Sequence, residues 1–158
     1  TFDKSIFNLY WINVQCYVLS FMKVIPIYIE AGISGFESPA AEYKELGLSL
    51  DSLLIQNPNA TFIGIAKGQS MQGVGIFDGD ILIVDRSVLV NQNDVIVANF
   101  NGCFSCKFLD KKLAQLISAS PLHKPVQISP EDEFQIEGVV TRSIRLHRPA
   151  PELLSCML

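Results

Sequence analysis

The apolar positions of this chain change period along its length. From Thr61 onward they come in short runs: Thr61–Lys67, Ile81–Val84, Asp94–Phe100, Cys103–Leu109, Leu113–Ser118 and Phe134–Leu146. Runs of this length, rich in Ile, Val and Phe and bounded by Gly, Asn and Asp, predict about six strands. Asp78-Gly79-Asp80 reads as a tight turn, and Asn101-Gly102 between two apolar runs is the strongest short-range hairpin signal. Gly138 inside the last run marks a bulge, and Pro121 and Pro125 place a loop ahead of it. Upstream the period lengthens. Tyr43, Leu46, Leu50, Leu53 and Leu54 recur at three- and four-residue steps, which predicts short helical turns over Glu42–Leu54, interrupted at Gly47. Asp51 is placed to cap the second turn, and Asn57-Pro58-Asn59-Ala60 ends the element.

Before the helical turns the pattern breaks down. Ala31-Gly-Ile-Ser-Gly-Phe-Glu-Ser-Pro39 has two glycines and a proline, which disfavour helix and regular strand and predict an extended, flexible arm. Ser5–Met22 is uncharged and strongly apolar. Its length approaches the roughly 17–25 residues of a membrane span, but Asn8, Asn13 and Gln15 would need buried partners there. A membrane anchor through residues 5–22, a covered extension, and a natural start at Met22 are the three readings of this segment. The last of these rests on the abrupt change of composition at Met22-Lys23.

Composition narrows the function classes. At 158 residues and 49% apolar content the chain fits one folded domain. A formal charge of −4 argues against bulk electrostatic binding of nucleic acid as the main activity. The four cysteines, Cys16, Cys103, Cys106 and Cys156, read as free thiols in a reducing compartment. Cys103-Phe-Ser-Cys106 has no second pair to complete a zinc site, and positions three apart on a strand face opposite ways. No metal or cofactor is implied.

Candidate chemistry concentrates in Lys67-Gly68-Gln69-Ser70-Met71, a serine presented in a glycine-containing turn after a strand. A serine hydroxyl needs a neighbouring base to become a nucleophile. His123 and His147 come late and without a motif, so Lys107, inside the apolar strand of the predicted hairpin, is the candidate base. Apolar neighbours Phe104, Phe108 and Leu109 would desolvate its amine and lower its pKa, leaving a neutral amine able to take the Ser70 proton. The backbone N–H groups of Ser70 and Met71 are candidates for an oxyanion hole. Taken singly, Gly68–Met71 is more often an ordinary turn than a site, and Lys107 more often a surface lysine whose stem snorkels.

The order Gly68-x-Ser70-Met71, then Asp78-Gly-Asp-Ile-Leu-Ile-Val-Asp85, then Phe104-Ser-Cys-Lys107 resembles the LexA/UmuD family of self-cleaving Ser/Lys proteins. Gly35–Tyr43, Leu53–Thr61 and Gly138-Val139-Val140 extend the resemblance, which covers about residues 33–146 and is close to the UmuD/MucA-like branch. The interval from Ser70 to Lys107 matches the family's dyad. The resemblance implies a mainly β, irregular antiparallel LexA/signal-peptidase-like fold with a short helical segment and a flexible N-terminal arm. Residues 1–21 would then be an apolar extension, 22–47 the arm with the cleavage site, 48–146 the peptidase-like β domain and 147–158 a tail. The implied activity is autoproteolysis at Ser34-Gly35, stimulated by a RecA–single-stranded DNA filament. Ser34 departs from the family's usual Ala or Cys, and Ala31-Gly32 stays as an alternative. The implied partners are a second copy in a homodimer and the UmuC-like catalytic subunit of a Y-family translesion polymerase, and the implied location is the bacterial cytoplasm.

Three other readings are kept. A type I signal peptidase shares the Ser/Lys chemistry and has an N-terminal membrane helix. Its serine motif, however, continues with a proline where Gly73 stands here, and its lysine is followed by Arg where Phe108 stands. A LexA-like repressor fragment lacking its DNA-binding domain is the second. The third is a polymerase-binding module in which Lys107 is inert.

Overall fold

The computed structural model describes residues 23–24 and 46–151. The apolar extension, the bonds Ala31-Gly32 and Ser34-Gly35, Cys16, Cys156 and residues 152–158 lie outside the described residues. The chain divides between Leu53 and Leu54 into two units.

In the first unit, β1 (Lys23–Val24) pairs antiparallel with β2 (Leu46–Ser49), and a short helix, α1 (Leu50–Leu54), follows directly. Of the span Glu42–Leu54 expected to form helical turns, residues 42–45 lie outside the described residues, 46–49 form a strand, and the helix begins at Leu50. Backbone pairing to a segment far upstream in the sequence outweighs the leucine spacing, and local periodicity carries no record of such a partner. The cap also differs. Ser49 Oγ accepts the Ser52 N–H at 3.1 Å, so Ser49 ends the strand and starts the helix. Asp51 lies inside the first turn, where its charge favours the helix dipole.

The second unit is an antiparallel sheet built from β3 (Thr61–Ile65), β4 (Ile81–Asp85), β5 (Val95–Phe100), β6 (Cys103–Asp110), β7 (Gln115–Ile117), β8 (Val126–Gln127) and β9 (Phe134–Ile144). Its spatial order is β3-β4-β9-β5-β6-β7-β8, and each adjacent pair is antiparallel. The long β9 thus joins the β3–β4 pair to the β5–β6 hairpin. Its register slips twice. The slip between Val97↔Gly138 and Ala98↔Ile136 is the bulge expected at Gly138, and a second falls between Ile83↔Arg142 and Val84↔Val140. Only glycine fits at 138, since a Cβ there would lie 2.8 Å from Val84 Cγ1 and 2.9 Å from the Asp85 carbonyl oxygen.

The central strands are covered on both faces, which explains their unbroken apolar runs. Val95 and Val97 pack against a cluster of Ala66, Met71, Ile76, Leu82 and Val84. Ile96 and Ala98, pointing the other way, join Leu109, Leu116 and Val139 in a second cluster.

Candidate active site

The hairpin β5–β6 closes at Asn101-Gly102, where both residues have positive φ (+51° and +81°), as a two-residue turn of the primed type requires. The register then runs Phe100↔Cys103 through Ile96↔Lys107 to Val95↔Phe108. Ile96 is fully buried, so the position opposite it is fixed by packing as well as by pairing. The turn itself is pinned from the side: Asn101 N–H donates to the Glu133 carbonyl at 2.8 Å, and Asn101 Nδ2 to Asp132 Oδ1 at 2.8 Å.

Ser70 is held quite differently, in the loop 66–80 between β3 and β4. The neck is closed by Ala66 N–H donating to the Asp80 carbonyl at 2.8 Å and Gly79 N–H donating to the Ala66 carbonyl at 2.9 Å. Gly68 takes φ +90° and donates its N–H to Asp78 Oδ1 at 2.6 Å, which turns the chain toward the serine. Next to Ser70, Met71 is buried and anchors the loop in the first core cluster. Beyond it, Gly73 N–H donates to the Ala119 carbonyl at 2.9 Å, and a Cβ at 73 would overlap that carbonyl oxygen. Arg145, just past β9, grips the far end of the loop. Its guanidinium donates to both Asp80 carboxylate oxygens, at 2.9 and 2.8 Å, and to the Gly75 carbonyl at 2.7 Å, and it stacks 3.8 Å from the Phe77 ring centre. These bonds hold the Asp80 carboxyl below its ordinary pKa of 3.8, against the opposing effect of burial.

Loop and strand meet at a cleft of about 320 Å³. Lys107 Nζ lies 2.6 Å from Ser70 Oγ and 3.2 Å from the Cys106 carbonyl oxygen. Desolvation pushes the Lys107 pKa down from its ordinary 10.5. The sequence neighbours expected to desolvate it supply only part of the cleft wall. Phe104 lines the cleft, but Phe108 and Leu109 pack into the two cores, and the apolar lining comes from Phe62, Met71, Ile76, Leu82 and Val97. The Cys106 thiol also faces the cleft, where burial pushes its pKa up to about 11, so it stays protonated and is no rival nucleophile at neutral pH. Cys103 is exposed, and both thiols are free.

The structure therefore brings together Ser70, Met71 and Lys107 and leaves both candidate scissile bonds outside the described residues. The N–H groups of Ser70 and Met71 have no hydrogen-bond acceptor among the described residues, as donors reserved for an incoming carbonyl oxygen would require. Four supporting groups escape a sequence reading: the Asp78 carboxylate, the Ala119 carbonyl, the Cys106 carbonyl and the Arg145 guanidinium. Asp78 and Asp80 were visible only as turn residues. Nothing in the local sequence around Ala119 or Arg145 announces a partner seventy or fewer positions away. Among the described residues no helix is long and apolar enough to cross a membrane.

The family model described as Peptidase S24-like matches residues 24–141. Protein SamA of Salmonella typhimurium is 37% identical over 123 residues, which cover 78% of this chain and 86% of the relative. Protein MucA of Escherichia coli is 36% identical over 127 residues, again 78% and 86% of the two chains. The LexA repressor of Bordetella avium is 33% identical over 111 residues, 68% of this chain and 51% of its own length.

Proposed function

This chain belongs to the Peptidase S24-like family, and from that membership and the Ser70–Lys107 contact we propose that it is a self-cleaving serine peptidase of the UmuD-like, SOS-mutagenesis kind. The 2.6 Å approach of Lys107 Nζ to Ser70 Oγ is the observation on which the proposal rests.

In the proposed reaction one N–H of the neutral Lys107 amine stays on the Cys106 carbonyl, which turns the nitrogen lone pair toward Ser70. The amine takes the Ser70 proton, and Oγ attacks the carbonyl carbon of Ser34. The resulting oxyanion is received by the backbone N–H groups of Ser70 and Met71. The Lys107 ammonium then gives its proton to the departing nitrogen of Gly35, and the peptide bond breaks. Water, deprotonated by the same amine, hydrolyses the Ser70 ester and frees the enzyme. Ala31-Gly32 is the alternative bond. In this reading residues 22–47 are the arm, 48–146 the peptidase domain and 147–158 a tail. A RecA–single-stranded DNA filament favours cutting, and the trimmed homodimer serves a UmuC-like Y-family polymerase.

The longer and more identical matches to SamA and MucA, 37% and 36% over 123 and 127 residues against 33% over 111 for the LexA repressor, favour this over a repressor. The signal-peptidase reading is disfavoured at Gly73. A proline there would lose the N–H that binds Ala119 and drive its ring into the same carbonyl.

The test is incubation of wild type, Ser70→Ala and Lys107→Ala at alkaline pH and with RecA filament, read by mass spectrometry. A fragment beginning at Gly35 is expected in wild type alone, with the variants slower by about 10³-fold or more. Equal cleavage in all three would sink the dyad. The pH dependence has a definite sign. Lowering the Lys107 pKa means the reactive neutral form fills at a pH below 10.5. The rate therefore rises with pH, and its half-maximal point falls below 10.5.

A further inference from the structure

The cleft is unevenly charged. Among the described residues that line it, the charged side chains are both lysines, Lys67 and Lys107, and no carboxylate lines it. Lys107 is committed to Ser70, and its amine is neutral when it works as base. Lys67 is exposed and precedes Gly68, at the point where β3 leaves the sheet for the serine loop. It is therefore the fixed positive charge of the cleft.

The proposed substrate segment has the opposite balance. Between Val24 and Tyr43 the sequence contains Glu30, Glu37 and Glu42 and not one Lys or Arg. Glu37 is three positions past Ser34, and Lys67 is three positions before Ser70. An extended chain advances about 3.4 Å per residue, so each lies at most roughly 10 Å along the backbone from its reacting residue.

We propose that Lys67 is a specificity-determining residue, pairing with the Glu37 carboxylate of the peptide being cut so that Ser34-Gly35, and not Ala31-Gly32, is set against Ser70. The proposal rests on the peptidase reading above. With the bond Ala31-Gly32 at the serine, Glu37 would be displaced by three further residues and the pair could not form. A long-stemmed ammonium at the rim of an open cleft acts through registration and encounter, so its effect is moderate and sensitive to salt.

A charge-swap experiment on the full chain tests it, with cleavage rate and fragment masses as readouts. Lys67→Glu and Glu37→Lys are each expected to slow cutting at Ser34-Gly35 by about fivefold. The share of product cut at Ala31-Gly32 should rise in both. The double variant K67E/E37K should return to within about twofold of wild type, and about 0.5 M salt should shrink all these differences. Lys67→Glu combined with Glu30→Lys serves as the control and should show no recovery. Single variants that cut at the wild-type rate, a swap that recovers nothing, or recovery with Glu30→Lys instead would each overturn the proposal. Failure of the underlying reading looks different: wild type would stay intact, or Ser70→Ala would be cut. Because Lys67 is exposed, unchanged thermal midpoints are expected throughout, which separates lost registration from lost folding.

Discussion

Ser70 and Lys107 approach to 2.6 Å, yet the loop that holds the serine and the strand that holds the lysine are positioned by unlike forces. The lysine is placed by repetition. Six register pairs of the β5–β6 hairpin, a two-residue turn and a fully buried isoleucine across the ladder leave its α-carbon no freedom. The serine is placed by individual polar ties. Its loop is closed by the Ala66–Asp80 neck and held at Gly68 by Asp78, at Gly73 by Ala119 and at Gly75 and Asp80 by Arg145. A hairpin is hard to perturb locally, because many equivalent bonds share the load. A loop held by separate bonds is sensitive at each of them, and in the proposed reaction its serine would have to be placed to a fraction of an ångström.

The contrast can be broken from the strand side first. Ile96→Ala empties a fully buried site opposite Lys107 and should cost about 3 kcal/mol of stability in urea denaturation. Cleavage should then fall only with the folded fraction, and a stabilising osmolyte should restore it. Persistent loss in fully folded protein would mean that the strand is as delicate as the loop. The serine side should respond in the opposite way. Gly73→Ala forces the loop off the Ala119 carbonyl, and a displacement near 1 Å should slow cleavage about 100-fold. The loss of stability should be well below that of Ile96→Ala. Parallel losses in rate and stability would erase the distinction.

The smallest effect is the most selective. Asp80→Asn keeps the side chain's shape while removing its charge, and should cost about 1.5 kcal/mol at neutral pH. The pairing with Arg145 depresses the folded-state pKa of Asp80. Its stabilisation is therefore complete above the ordinary 3.8 and disappears as pH falls through the lowered value. Urea midpoints followed into acid should fall in wild type and stay flatter in Asp80→Asn. Identical acid profiles would remove Arg145–Asp80 from the account of the loop.

The same division marks what can be read from sequence. The strands from Thr61 onward, the Asn101-Gly102 hairpin and the Gly138 bulge are legible because period, turn chemistry and a crowded glycine are local properties. The strand at Leu46–Ser49 is not, because it exists only through Lys23–Val24. Nor is β8, whose two residues pair at the sheet's edge with β7. Ser70 and Lys107 stand out as residue types in suggestive settings, but most of the apolar cleft wall around the lysine comes from β3, β4, β5 and the serine loop, with Phe104 and Cys106 the part its own strand supplies.

By itself, then, the sequence determined most of the strands from Thr61 onward, the hairpin turn between β5 and β6 and the residue types able to do acyl-transfer chemistry, since all of these follow from side-chain period and backbone preference over a few residues. Only the tertiary structure decided that β9 lies between β4 and β5, that Arg145 and Ala119 tie down the serine loop, and that Lys107 Nζ reaches Ser70 Oγ across 37 positions of chain. These are contacts between distant segments, settled when the whole apolar surface is buried at once, and no window of sequence contains both partners.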